Sequence, residues 1–97
     1  MKQCIDKIQT VIQRPGMFLV EDNLSYAIAF ISGLNHGLQH KPLEGFQSWL
    51  VREYFEEPQA FAWEALIRRL EDCSTDNEQE NARAFLVILD RYVANLY

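Results

Sequence analysis

His36 and His40 stand four residues apart, a spacing that lets two imidazoles on one helical face share a metal ion, with Glu44 near in sequence. The glutamate that neighbours the first histidine in helical metalloproteases is missing, and no third ligand completes the set, so no metal is expected. Histidines near a helix C-terminus are also favoured by the helix dipole. Covalent catalysis finds as little support. Ser25, Ser32 and Ser48 fall within helical patterns, Ser74 and Thr75 look like caps, and none sits in a G-x-S-x-G elbow. Cys73 follows Glu71 and Asp72, whose charges raise a thiol's pKa and leave it unactivated. Adjacent carboxylates such as Glu56-Glu57 can do acid–base work, but at a helix end before Pro58 they read as a solvated face. No enzyme and no cofactor are expected.

Charge is the stronger signal. The net charge is −5, and residues 1–41 carry four Lys/Arg against three acids while residues 42–97 carry five against eleven. Glu71, Asp72, Asp76, Glu78 and Glu80 fall within ten residues that hold no base. Such a chain is a poor ligand for a phosphate backbone. It suits a basic protein partner better.

The elements that position these residues follow from hydrophobic periodicity. Ile5, Ile8, Val11 and Ile12 predict an amphipathic helix over Lys2–Gln13, ended by Arg14-Pro15-Gly16-Met17. Met17-Phe18-Leu19-Val20 reads as a buried connector. Asn23 is a good N-cap for an apolar helix over Asn23–Leu38, with Glu21 and Asp22 near its positive end. Leu24, Ala27, Ile28, Ile31, Leu34 and Leu38 line one side, and Tyr26 and Phe30 add a second, so this helix is expected to be buried at the centre. Ser25, Ala29, Gly33 and Gly37 form a row of small residues where a neighbouring backbone is expected to pass, so that Gly33→Leu would overpack.

His40-Lys41-Pro42 closes that helix. Phe46, Trp49, Leu50 and Tyr54 predict a third over Leu43–Phe55, and Phe61, Trp63, Leu66, Ile67 and Leu70 a fourth. Thr75 and Glu78 match a capping box. Ala82, Phe85, Leu86, Leu89, Tyr92, Val93 and Leu96 then continue with a 3.6 period, a last helix of ~20 residues.

The whole is expected to be one all-α domain of five main helices spanning residues 1–97. Its folded surface should be roughly 5,800 Å². No apolar run approaches the length of a membrane span. The first ten residues carry Asp6 and no long apolar stretch, unlike a secretory signal. Cys4 and Cys73 are too isolated for a disulfide framework and read as reduced thiols of a cytoplasmic protein.

Arg14-Pro15-Gly16-Met17-Phe18 is similar to the R-P-G-M-Y-I-G string of type II topoisomerase ATPase subunits. Val20 stands where that string has glycine, and the ATPase's length and glycine-rich lid are both absent. A broader pattern joins R-P-G-M-F to an apolar helix with Gly33, then Leu43-x-Gly45-Phe46-x-x-Trp49, an acidic loop and a Phe/Leu-rich last helix. It resembles the small helical bacterial immunity proteins of toxin systems, including contact-dependent growth inhibition. The resemblance implies a cytosolic antidote that binds a cognate toxin domain, often a nuclease, and blocks its active site. A surface that holds phosphates must be basic, and an acidic protein can occupy it. The expected contacts are Glu71, Asp72, Asp76, Glu78 and Glu80, with Glu53, Glu56 and Glu57 as a second cluster. The alternative is a helical adaptor or oligomerisation module meeting another chain through Val51, Val87 and Tyr97.

Overall fold

In a computed structural model, the structure describes residues 2–14, 23–37 and 43–96, with side chains described from residue 6 onward. Helix α1 spans Lys2–Gln13, α2 Leu24–Gly37, α3 Phe46–Tyr54, α4 Trp63–Arg69 and α5 Glu78–Ala94; a 3₁₀ turn at Glu71–Cys73 joins α4 to the last loop. Among the described residues there is no strand, and the fold is all-α. The radius of gyration is 12.7 Å, near the ~12.5 Å expected of a compact chain this long. The accessible surface is 6102 Å².

The core forms where the apolar stripes of the helices converge. Phe85, Leu89 and Val93 of α5 are fully buried, and that helix packs on α1, α2 and the 3₁₀ turn. Its partners contribute Ile8 and Val11 from α1 and Ala27, Ile28 and Ile31 from α2. The Leu43-x-Gly45-Phe46-x-x-Trp49 motif supplies the aromatic half. Phe46 lies 4.9 Å from Tyr92, 5.3 Å from Trp63 and 6.0 Å from Trp49 between ring centroids, and Trp63 stacks on Phe85 at 5.8 Å. Buried Asn35 of α2 accepts the Leu43 backbone N–H at 3.0 Å, which ties the start of the motif to α2.

Asn23 caps α2 as its sequence predicts, its Oδ1 accepting from Tyr26 N–H at 2.7 Å. The small-residue row behaves differently. Ser25, Ala29, Gly33 and Gly37 are all exposed, and a Cβ added at Gly33 or Gly37 meets no atom of another described element within 4 Å. Helix α2 buries one face against α5 and presents this row to solvent. Overpacking at Gly33 is therefore not expected. Gly33→Ala should instead stabilise the fold by up to ~1 kcal/mol through helix propensity, read as a raised urea midpoint. A lowered midpoint would restore the close-approach reading.

Two further boundaries shift. Phe61 precedes α4, is 47% exposed, and lies under the Arg69 guanidinium at 4.2 Å from its ring. It is a surface aromatic and not part of a helical core face. Leu96 is 41% exposed beyond the end of α5. The expected connector at Met17–Val20, the flanking acids Glu21 and Asp22, and Leu38, His40 and Tyr97 lie outside the described residues.

Candidate functional site

The acidic segment is built around two buried anchors. Leu70 is extended and stops α4, after which Cys73 turns inward and is 1% exposed. Glu71 and Asp72 face solvent on the same turn. Ser74 Oγ donates to the Arg68 carbonyl at 2.6 Å, closing the C-terminal end of α4. The second anchor is Asn81, 2% exposed on the first full turn of α5. Its Oδ1 accepts from Thr75 N–H at 2.9 Å and Thr75 Oγ1 at 2.6 Å, and its Nδ2 donates to the Thr75 carbonyl at 2.9 Å. Thr75 is thus occupied by Asn81, and the N-cap of α5 is Asn77, whose Oδ1 accepts from Glu80 N–H at 3.1 Å. The capping box expected at Thr75 gives way to this arrangement.

All five acids are exposed and pair with no cation among the described residues, and four of them, Glu71, Asp72, Asp76 and Glu80, accept no side-chain hydrogen bond there either. Glu78 has a structural task. Its Oε2 accepts the Leu24 backbone N–H at 3.2 Å, capping α2 from the start of α5. Glu78 and Glu80 also sit in the first turn of α5, where the helix dipole favours acids. Glu71 and Asp72 follow the negative end of α4 and open only the three-residue 3₁₀ turn, whose dipole is small beside that of a full helix.

Glu53, Glu56 and Glu57 are likewise exposed and cluster at the C-terminal end of α3, the unfavourable end for carboxylates. Glu53 lies 3.9 Å from Arg52 Nε with both side chains at least half exposed. Such a pair contributes at most about 1 kcal/mol. No hydrogen bond or ion pair joins this cluster to the 71–80 acids among the described residues.

Cys73, Ser25, Ser32 and Tyr92 are engaged in the fold. Burial, with Asp72 beside it, pushes the Cys73 thiol up to about 11, so the thiolate is scarce at neutral pH. Ser25 Oγ accepts from Arg68 Nη2 at 3.1 Å, and Ser32 Oγ donates to Glu64 Oε2 at 3.2 Å. These two contacts seam α2 to α4 with the helices running in opposite directions. Burial raises the Tyr92 hydroxyl, opposed by a hydrogen bond with the Gly45 backbone and reinforced by Glu44. Among the described residues, no three His, Cys, Asp or Glu side chains converge as metal ligands. His36 is exposed.

Open grooves are also lined by described residues. One of about 270 Å³ runs between α1 and α2 over Lys7, Thr10, Val11, Phe30 and Leu34. Another, about 320 Å³, lies between α1 and α5 over Ile12, Arg83, Leu86, Val87 and Asp90. No helix described is long and apolar enough to cross a membrane.

Sequence reasoning missed Asn81 and the second role of Glu78. Asn81 had a visible signal, standing four residues before Phe85 on the apolar stripe of α5, where a polar residue must find partners. Glu78 had none, since its partner lies 54 residues away. No protein-family model, curated protein or solved structure matches this chain.

Proposed function

We propose that this chain is the immunity protein of a toxin–immunity pair, a cytoplasmic antidote that binds a cationic toxin domain, foremost a nuclease such as an RNase, and covers its active site. The observation that carries the reading is the exposure of Glu71 and Asp72 on a turn anchored by buried Cys73, with neither paired to a cation among the described residues. Asp76 and Glu80 extend the same unpaired negative surface. A nuclease must present cations to hold phosphates, and outward carboxylates on a folded surface can take the substrate's place. The resemblance of the helical pattern to small bacterial immunity proteins supports the same reading, as does an acidic balance that disfavours direct nucleic-acid binding.

The test is association with the cognate toxin domain at several salt concentrations. A Glu71→Gln, Asp72→Asn, Glu80→Gln triple variant should fold normally by circular dichroism, since each side chain is exposed. It should associate about ten-fold more slowly at low salt, with a flatter salt dependence, because complementary charge chiefly sets the encounter rate. An unchanged rate and salt slope would remove this segment from the interface and leave Glu53, Glu56 and Glu57 as the contacts to test. Failure of the unmodified chain to inhibit that domain would overturn the antidote reading itself.

A further inference from the structure

Val87 is 53% exposed in the middle of the outer face of α5, whose other long apolar side chains are buried. At 3.6 residues per turn, Arg83 and Asp90 flank it on one side and Glu80 and Arg91 on the other. The order of charge is reversed between the flanks, base before acid on the first and acid before base on the second. The midpoints of the two pairs fall within one residue of each other, beside Val87.

We infer that this face is a self-association surface, and that its occupant is the α5 helix of a second copy of the chain, packed antiparallel about a two-fold axis beside Val87. A two-fold interface sets the same patch against itself. In the antiparallel arrangement each flank meets its own counterpart. Arg83 then faces the partner's Asp90, and Glu80 faces the partner's Arg91. Both flanks are satisfied by one axis. Arg91 already donates Nη1 to Tyr54 Oη at 3.0 Å, which holds the guanidinium in place and leaves its other donors for a carboxylate. The groove beside Val87 offers an apolar floor of Ile12 and Leu86 to the partner's Val87. A parallel pairing would also match signs, but it sets Arg83 three residues out of register with the partner's Glu80, and aligned helix dipoles oppose it. The inference gives the adaptor alternative a specific partner; it shares Glu80 with the antidote proposal, and its test therefore uses Val87, Arg83 and Asp90, which that proposal does not involve.

One helical face is a small interface, so the dimer should be weak, with Kd on the order of 0.1–1 mM. Sedimentation equilibrium of the full chain from micromolar to millimolar concentration should show a monomer–dimer equilibrium. Val87→Glu should abolish it, and Arg83→Asp should weaken it about ten-fold by setting acid against acid. The charge-swapped Arg83→Asp, Asp90→Arg double variant should restore it, because the antiparallel pairs are then remade with signs exchanged. Circular dichroism establishes that each variant folds. A monomer throughout, a dimer indifferent to Val87→Glu, or a double variant weaker than Arg83→Asp alone would each overturn the proposal.

Discussion

Phe46→Ala is expected to lose about 3–5 kcal/mol of stability, the largest effect of any single substitution considered. The ring is fully buried and touches Trp49 on its own helix, Trp63 on α4 and Tyr92 on α5. Its removal opens a cavity bordered by three rigid aromatics, which cannot collapse into the space without leaving their rotamers. A protein of this size has a total stability of roughly 5–15 kcal/mol, so the variant should be only marginally folded. Urea denaturation gives the loss, and near-ultraviolet circular dichroism reports the aromatic packing. Phe61→Ala, which removes an exposed ring and its Arg69 contact, should cost under about 1 kcal/mol in the same assay. A Phe46→Ala variant as stable as Phe61→Ala would mean that the aromatic cluster does not hold α3 against α4 and α5.

Asn81→Ala is expected to cost about 2 kcal/mol. The side chain is buried, makes three hydrogen bonds to Thr75, and holds the loop that follows Cys73 against the first turn of α5. Alanine leaves the Thr75 N–H and carbonyl to water, and the exposed loop allows solvent to reach them, which limits the loss. Thr75→Ala spares the two bonds between Asn81 and the Thr75 backbone but removes the hydroxyl, which also accepts from Asn77 N–H at 3.2 Å, and should cost about 1–2 kcal/mol. The two losses should not add, since both changes break the Oγ1–Oδ1 bond. A double-mutant cycle by urea denaturation measures this coupling. An additive double variant would show that the loop is held by other contacts.

The helices were largely legible because each buries one stripe, and a 3.6 period in Ile8–Val11 or Phe85–Leu89–Tyr92 has one simple reading. The environment of each face was not. Tyr26 and Phe30 made α2 look apolar all round, yet both are half-buried at the edge of the core, and the small residues beside them face water. Period identifies a face without saying what lies opposite. Phe61 was misread because the segment from Pro58 to Ala62 is not helical, so a helical register carried back from Trp63 does not apply there. The cap of α5 was ambiguous in principle, with Thr75 and Asn77 both able to cap; a buried Asn81 that claims Thr75 decided it. The acids were visible as charge, but which of them serve a helix end depends on boundaries only the fold supplies.

The dependence of α1 and α2 on α5 has a consequence in time. About 65 residues separate the end of α1 from the start of α5, and at roughly 5–20 residues per second that is a wait of several seconds during synthesis. Helices as short as α1 and α2 are marginal in water without a packing partner. Their apolar stripes therefore emerge from the ribosome before the surface that covers them, and the nascent chain passes through an interval in which its future core is open to chaperones, proteases and other chains.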